Sequence, residues 1–261
     1  MGLVTFLYTL YLIAPIALLL VGSFGTSWTN SLLPTGFTLD WYREVIGDAS
    51  FRRAFMTSLE VVAATCVVNV VLGVPFAYAV FSAANRGVRL AARIFTLLPV
   101  AVPELVLGFG FIIVFSSDYL PWLGTTWLLI CAHIVLTLPY LVATLLGDMD
   151  RLGIADMEKV AETLGAGFWP RFRDIVLPSL RYSLLSGLMM VTAISIGEFQ
   201  ISNRVAGFLS RPYPVVLLQA FYGATGLACA ATVILIILAL LAAFGGAAGA
   251  HLAQLRQKVR A

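Results

Sequence analysis

A chain of 261 residues with 61% hydrophobic and only 11% charged side chains is too apolar for a water-soluble globular protein, in which about 25% of residues are charged. Lipid must therefore contact most of its surface. A formal net charge of +3 is too small to indicate a nucleic-acid-binding protein, so we expect no nucleic acid partner. Cys66, Cys131 and Cys229 lie inside apolar runs without metal-ligand spacing. We interpret them as small buried side chains and expect no metal site.

Six apolar runs are long enough to cross about 30 Å of hydrocarbon as a helix, which takes about 20 residues. They cover residues 3–24, 55–81, 90–115, 126–146, 182–201 and 215–244. The third and sixth runs contain proline or glycine, so bends are expected there. The first run lacks the basic start and the cleavage site of a signal peptide, so we expect it to be retained. The sequence predicts an all-α membrane protein, with residues 1–261 forming one domain of six transmembrane helices.

The segment between the first two apolar runs, residues 25–54, contains a candidate short helix. Apolar and aromatic residues recur there at helical spacing, namely Phe37, Trp41, Tyr42, Val45 and Ile46. We expect this helix to lie along the outer membrane interface, with Trp41 and Tyr42 at headgroup level. A membrane anchor and a substrate gate are the two alternatives for its role.

Basic residues are divided unevenly between the two sides of the predicted bundle. With the N-terminus inside, eleven of the 16 lysines and arginines fall on the cytoplasmic side, namely Arg86, Arg89, Arg93, Arg151, Lys159, Arg171, Arg173, Arg181, Arg256, Lys258 and Arg260. The outer side keeps Arg43, Arg52, Arg53, Arg204 and Arg211. Since cytoplasmic loops are enriched in lysine and arginine, we predict a multi-pass protein of the bacterial cytoplasmic (inner) membrane with both termini in the cytoplasm.

The longest polar interruption, residues 156–178, lies in a predicted cytoplasmic loop of about residues 148–178 between the fourth and fifth runs. Asp156 can cap a first short helix that ends at Gly165. Its apolar stripe consists of Met157, Val160, Ala161 and Leu164.

A second short helix in the same loop begins near Trp169 and Pro170 and ends at Leu177 and Pro178. It carries aromatic side chains that alternate with arginines, so the two helices together would display an apolar and aromatic face beyond the bilayer. This face predicts a docking site for a partner protein. A loop lying on the inner membrane leaflet is the alternative.

The spacing of Gly165, Ile175, Leu177 and Pro178 resembles the signature loop of the permeases of binding-protein-dependent ABC importers. That pattern has Glu-Ala-Ala, three residues, glycine, nine residues, isoleucine, one residue and Leu-Pro. In this chain the triplet is replaced by Lys159, Val160 and Ala161, and Glu158 and Glu162 flank it.

The resemblance extends over nearly the whole chain. The runs GVPFAYAV (73–80) and LLPVAVPELVLGFGF (97–111) are similar to that family, and the second run and GEF (197–199) look most like the polyamine, iron(III) and phosphonate permeases. It implies a type I ABC importer permease bundle with a cytoplasmic coupling helix. The residues that it implies in coupling to an ATPase are Glu158, Lys159, Val160, Ala161, Leu164, Gly165, Phe168, Trp169, Ile175, Leu177 and Pro178.

The resemblance also implies partners. A periplasmic or lipid-anchored solute-binding protein would deliver the solute, and a second permease subunit, expected to be non-identical, would complete the pathway. Two separate ABC ATPase subunits would bind the cytoplasmic loops and hold ATP and Mg²⁺. The chain itself lacks the Gly-x-x-x-x-Gly-Lys-Ser/Thr phosphate loop, so we expect no cofactor, no catalytic residue and no ATP hydrolysis in it.

Acidic residues within apolar runs are candidates for the substrate pathway, because an unpaired carboxylate is costly in lipid and usually faces a cavity or a partner. Glu104 follows Pro103 in the third run, and Glu198 ends the fifth run beside Gln200 and Asn203. A structural or gating role for Glu104 and a solvated helix end at Glu198 are the alternatives. His133 is expected to be packed and hydrogen-bonded rather than part of a proton relay.

The acids favour a cationic cargo, with spermidine or putrescine as the first expectation. The resemblance leaves iron(III) and aminoalkylphosphonates as alternatives. An ion-coupled secondary transporter is the competing class. It often shows internal repeats, and none is evident in this sequence.

Overall fold

The computed structural model describes residues 2–28, 31 and 33–258, with side chains described as far as residue 241. These residues are almost entirely helical, which confirms the predicted all-α class. Within the same ranges, β-structure is limited to two isolated bridges, one between Ser27 and Thr35 and one between Gly124 and Ala206.

The helices follow one another with short connections. In chain order they are α1 (Gly2–Gly22), α2 (Asp40–Gly47), α3 (Ala49–Ser82), α4 (Arg86–Ala101), α5 (Glu104–Phe115), α6 (Thr126–Arg151), α7 (Ile154–Thr163), α8 (Phe168–Arg171), a π-helical turn (Phe172–Val176), α9 (Leu177–Ser179), α10 (Arg181–Gly197), α11 (Ser202–Val205), α12 (Tyr213–Gly223) and α13 (Thr225–Lys258).

Three of the described helices, α1, α3 and α6, are individually long and apolar enough to cross a membrane. Two bent pairs raise the number to five if each pair is one span: α4 with α5, and the helical segment Phe168–Ser179 with α10. The last predicted span, residues 215–244, falls on α12 and α13, which are separated at Ala224. Interruptions were expected in the third and last runs, and the count of six spans stays a prediction.

The bend in the third run has a local cause. α4 and α5 meet at 96°, and Val102 and Pro103 between them have extended backbone. A residue before proline is driven out of the helical region by the proline ring, and proline has no backbone N–H to continue the ladder. Glu104 therefore lies in the first turn of a new helix rather than within a continuous span.

The chain divides into two compact units, one formed by residues 2–58 and 210–241 and the other by residues 59–209 and 242–258, among those described. The first contains α2, which confirms the short helix predicted between the first two runs. Its aromatic residues are held by protein partners: Trp41 Nε1 donates to the Gly25 carbonyl at 2.8 Å, and the Tyr42 hydroxyl lies 2.7 Å from Ser23 Oγ. Their predicted headgroup level stays a prediction.

The second unit carries the candidate site. Its core joins α3, α6, the segment after α7 and α10 through buried aliphatic residues, namely Val74, Ala77, Leu141, Leu145, Met149, Val176, Leu180 and Val191. α10 approaches α6 closely at Gly187, where an added Cβ would lie 2.6 Å from Leu141 Cδ1. This packing fixes the ends of α6 and α10, and the polar loop predicted from the sequence connects those ends.

Candidate functional site

The first helix of the loop, α7, begins earlier than the sequence indicated. Its N-cap is Gly153, which adopts a left-handed backbone with φ of 66° and turns the chain sharply after α6. The prediction that Asp156 caps this helix is therefore wrong. Asp156 lies in the first turn, and its carboxylate accepts a hydrogen bond from Lys159 Nζ at 3.1 Å. The helix starts at Ile154 because this buried side chain belongs to the core.

α7 buries a carboxylate on its inner face and exposes large apolar side chains on its outer side. Ile154 and Glu158 are buried on the inner face, and the half-buried Ala161 follows at helical spacing. The exposed side of α7 carries three apolar residues, namely Met157, Val160 and Leu164, the last of which is 83% exposed, besides charged residues. Of the predicted stripe, Ala161 thus lies away from these three. An exposed apolar helix face of this kind indicates a binding surface.

Glu158 is turned away from solvent. It is 9% exposed, and its Oε1 accepts a hydrogen bond from the Tyr78 hydroxyl of α3 at 2.5 Å. The resemblance implies a coupling role for Glu158, and that role stays a prediction. In the structure its side chain contacts Tyr78 of the chain's own bundle and does not belong to the outer face of the loop.

The turn between the two loop helices occurs at Gly165, as predicted. Gly165 has φ of 84°, a left-handed conformation that favours glycine, and no atom lies within 4 Å of a Cβ built there. The Ala166 amide donates to the Ala161 carbonyl at 3.0 Å, which satisfies a carbonyl at the end of α7. The backbone alone therefore requires glycine at this position.

The second loop helix is longer than predicted. It begins at Phe168 and continues through α8, the π-helical turn and α9 to Ser179, where the chain bends by 62° into α10. In the π-helical turn the Leu177 amide donates to the Phe172 carbonyl. Pro178 lacks the next amide, and removal of a donor from the ladder favours such an irregular turn.

Aromatic rings connect this second helix to α3. The ring centroids of Tyr78 and Phe172 are 5.1 Å apart, and those of Tyr78 and Phe168 are 5.8 Å apart. Trp169 stacks on Phe172 at 6.0 Å and is 61% exposed. Trp169 therefore extends the exposed apolar face of α7 while its neighbours anchor the helix to the bundle.

An ion pair joins the two loop helices. Arg171 Nη1 lies 2.9 Å from Glu162 Oε2, and the arginine side chain is only 19% exposed. We call the exposed apolar residues Met157, Val160, Leu164, Phe168 and Trp169 of these two connected helices the docking face.

The predicted pathway residues differ in their exposure. Glu104, Gln200 and Asn203 are exposed, whereas Glu198 is 5% exposed. The Glu198 carboxylate accepts hydrogen bonds from the Ile201 amide at 2.6 Å and from the amide and hydroxyl of Ser202 at 2.9 and 2.5 Å. Neither a solvated helix end nor the wall of an open cavity describes Glu198 in this chain. Glu198 has extended backbone directly after α10, which ends at Gly197, and its carboxylate binds the first amides of the α11 turn.

His133 is packed and hydrogen-bonded, as predicted. Its Nδ1 lies 2.6 Å from Ser195 Oγ and its Nε2 lies 3.0 Å from Ser202 Oγ, while Glu198 Oε2 is 3.6 Å away. One buried polar cluster thus connects α6, α10 and α11. Because buried polar groups are costly without partners, these contacts fix the α10–α11 junction.

The structure adds residues that the sequence analysis did not select for the site. Arg204 on α11 packs against α5. A Cβ at Gly108 would lie 3.3 Å from Arg204 Cγ, and the Arg204 guanidinium lies 5.4 Å from the Phe109 ring centroid. Tyr78 was also missed, since a tyrosine in an apolar run has no distinguishing signal.

Comparison with known proteins gives consistent matches. A family described as "Binding-protein-dependent transport system inner membrane component" matches residues 69–254. The "Putative 2-aminoethylphosphonate transport system permease protein PhnV" of Salmonella typhimurium is 30% identical over 192 residues, which is 74% of this chain and 71% of the relative. The "Molybdenum transport system permease protein ModB" of Mycobacterium tuberculosis is 31% identical over 229 residues, 82% of this chain and 86% of the relative.

The fold matches a solved structure of a bacterial ABC transporter involved in the import of the acidic polysaccharide alginate. The TM-score is 0.79 at 16% sequence identity, with 96% of this chain and 93% of the other covered. At this identity the likeness concerns the fold. A second structure, of a bacterial alginate ABC transporter in complex with an alginate pentasaccharide-bound periplasmic protein, matches with a TM-score of 0.76 at 16% identity, covering 94% of this chain and 91% of the other.

Proposed function

The chain belongs to the inner-membrane components of binding-protein-dependent transport systems, as a permease subunit of an ABC importer, and from this premise we propose how it couples ATP hydrolysis to import and what it carries. The docking face is the observation that supports the coupling proposal. Met157, Val160, Leu164, Phe168 and Trp169 are between 45% and 83% exposed, although they lie within the longest polar interruption of an apolar sequence.

In the proposed arrangement, a separate ABC ATPase subunit binds the docking face on the cytoplasmic side. Trp169 and Leu164 are the anchors, because large apolar side chains at the centre of an interface commonly contribute most of the binding energy. ATP hydrolysis takes place on the partner. Movement of the ATPase subunits displaces α7 and α8 together, since Arg171 and Glu162 connect them.

A second permease subunit, non-identical in our proposal, completes the pathway, and a solute-binding protein outside the membrane delivers the solute. The solved alginate transporter in complex with its periplasmic protein supports such an assembly. Purified alone in liposomes, the chain should import nothing. Transport by the isolated chain would contradict the proposed half-pathway.

For the pathway we propose four exposed residues: Glu104 on α5, Gln200 just before α11, and Asn203 and Arg204 on α11. Arg204 packs one helical turn beyond Glu104, at Gly108. Glu198 acts indirectly, by positioning α11 through its hydrogen bonds to the Ile201 and Ser202 amides. The surface therefore offers both an anionic and a cationic side chain to a solute.

This pair of charges favours a zwitterionic cargo over a purely cationic one. An aminoalkylphosphonate carries an ammonium group for Glu104 and a phosphonate for Arg204, and the relative from Salmonella typhimurium is described as a putative 2-aminoethylphosphonate permease. We therefore propose an aminoalkylphosphonate as the first candidate cargo. A polyamine is the second candidate, supported by the exposed Glu104 carboxylate.

Coupling is tested in proteoliposomes that hold the permease pair, the cognate ATPase and the binding protein. The double variant Val160→Asp, Leu164→Asp should lose ATPase binding and ATP-driven uptake, because two carboxylates would have to be desolvated in the interface. Tyr119→Asp, at a site that is 94% exposed outside the loop, is the control and should retain both. Normal ATPase binding by the double variant would contradict the docking assignment.

The cargo is tested by calorimetry of the cognate binding protein with 2-aminoethylphosphonate, spermidine and putrescine. Micromolar or tighter binding of the phosphonate supports the first candidate, and binding of the polyamines alone supports the second. In the permease, Arg204→Gln should reduce phosphonate uptake, whereas Arg53→Gln at an exposed site should not. Equal uptake by both variants would exclude Arg204 from phosphonate recognition.

A further inference from the structure

Tyr78 provides the polar link between the loop and α3. Its hydroxyl donates to Glu158 across a sequence separation of 80 residues, and both side chains are buried. The Glu162 side chain of α7 is bonded to Arg171 within the loop, whereas the Glu158 side chain is bonded to α3, a helix outside the loop. A buried hydrogen bond to a carboxylate is stronger than one between neutral groups.

The same tyrosine ring also contacts the second loop helix. Phe168 and Phe172 pack against it with interplanar angles of 54° and 56°, and the two phenylalanine rings are nearly parallel, at 2°. Tyr78 thus contacts α7 through its hydroxyl and α8 and the π-helical turn through its ring. A single residue of α3 touches both halves of the loop.

Glu158 is buried on a helix whose other charged side chains are exposed to solvent. Its charged neighbours Lys159 and Glu162 are exposed on the same helix, whereas Glu158 faces inward. Burial of a carboxylate beside one hydroxyl is costly compared with its exposure to water. An apolar residue on this inner face would pack at lower cost, so stability alone does not account for a glutamate here.

We propose that Tyr78 is a positioning residue that makes α3 move with the coupling loop, so that displacement of the docking face by the ATPase is transmitted to α3 and thereby to the transport pathway. This inference rests on the proposed function. The directional Tyr78–Glu158 hydrogen bond fixes the orientation of α7, and the ring contacts fix the second loop helix relative to the same point on α3.

The test compares the number of cargo molecules imported per ATP hydrolysed in the reconstituted complex. Tyr78→Phe removes the hydroxyl and keeps the ring, so the complex should assemble and hydrolyse ATP while the ratio falls about fivefold. Glu158→Gln keeps an acceptor oxygen and should retain most of the ratio. Tyr140→Phe is the matched control, because the Tyr140 hydroxyl makes no hydrogen bond with any described residue, and its ratio should equal that of the wild type.

The double variant Tyr78→Phe, Glu158→Leu separates transmission from simple stabilisation. Replacement of both partners by apolar groups removes the unsatisfied acceptor, so the yield and thermal stability of the complex should return to near the wild-type values. The ratio of import to hydrolysis should stay low because the link is absent. Recovery of the ratio together with stability would show that the hydrogen bond only stabilises the fold, and would overturn the proposal.

A measurement without transport tests the geometry directly. In the assembled complex in nanodiscs, amide hydrogen exchange of residues 154–163 should rise about tenfold in Tyr78→Phe and remain unchanged in Tyr140→Phe. Unchanged exchange and an unchanged import ratio in Tyr78→Phe would refute the link while the importer assignment stands. If the wild-type chain neither binds an ATPase nor imports a solute, it is the proposed function that fails.

Discussion

Two buried glutamates, Glu158 and Glu198, lie in the same compact unit and have different surroundings. Glu198 is held by two backbone amides, a serine hydroxyl and a nearby histidine, most of them within a few residues of it. Glu158 is held by one tyrosine hydroxyl from a distant part of the chain. The first carboxylate organises its own helix junction, and the second connects a peripheral loop to the bundle. The number of partners and their distance along the chain therefore distinguish a carboxylate that organises a local helix junction from one that connects two distant segments.

The largest effect is expected at the first of these sites. Glu198→Ala should reduce the free energy of unfolding by about 3 kcal/mol, because the buried amides of Ile201 and Ser202 and the Ser202 hydroxyl lose their common acceptor. The midpoint of thermal unfolding in detergent, followed by size-exclusion chromatography, measures this change. Glu60→Ala, an exposed acidic residue, is the control and should be neutral. A stable Glu198→Ala protein would remove the basis of the comparison.

The turn between the loop helices should have the next largest effect, and on coupling rather than on the fold. Gly165→Pro fixes φ near −65°, whereas the structure needs 84°, so the second loop helix must shift at a cost of about 2–3 kcal/mol. ATPase stimulation and transport should fall together while membrane insertion is retained. The control Gly147→Ala, where a Cβ meets no atom within 4 Å, should behave as the wild type. Unchanged transport in Gly165→Pro would mean that the loop is not the coupling element.

A smaller effect is expected from single side chains of the loop. Trp169→Ala should weaken ATPase binding by about 2 kcal/mol, since it removes an exposed aromatic anchor without disturbing the contact between Tyr78 and Phe172. Arg171→Ala should weaken binding less and chiefly by loosening the link to Glu162. Pull-down of the ATPase at several concentrations compares the two variants. A larger loss for Arg171→Ala would identify the ion pair, and not the apolar face, as the main determinant of docking.

The smallest effect is expected at Lys159, which occupies the glutamate position of the family's triplet. Its ammonium group lies 3.1 Å from the Asp156 carboxylate on an exposed surface, and such pairs contribute about 0.5 kcal/mol or less. Lys159→Ala should therefore leave ATPase binding and transport within about twofold of the wild type. A loss of tenfold or more in ATPase binding would show that Lys159 contacts the partner directly.

The class of the protein, the positions of the apolar runs and the polar loop followed from composition and periodicity alone. Lipid solvation requires long apolar helices, and a left-handed turn favours glycine. A helix such as α6 and the turn at Gly165 can therefore be predicted from the local sequence. The bend at Pro103 and the interruption at Ala224 were expected from the proline and glycine residues in those runs. The orientation of the termini and the six-span count remain predictions from the sequence.

Tertiary structure decided which side each polar residue faces. The local pattern of α7 is the same whether Glu158 points to solvent or to Tyr78, and only the packing of α3 beside it buries the carboxylate. Likewise, the local sequence predicts only that Glu198 ends a helix, whereas in the structure it lies beside His133, which is 65 residues away on α6. Hydrophobic periodicity determines where helices form, because it depends on neighbours within a turn or two. The partners of buried polar groups come from distant segments, and only the folded bundle brings them together.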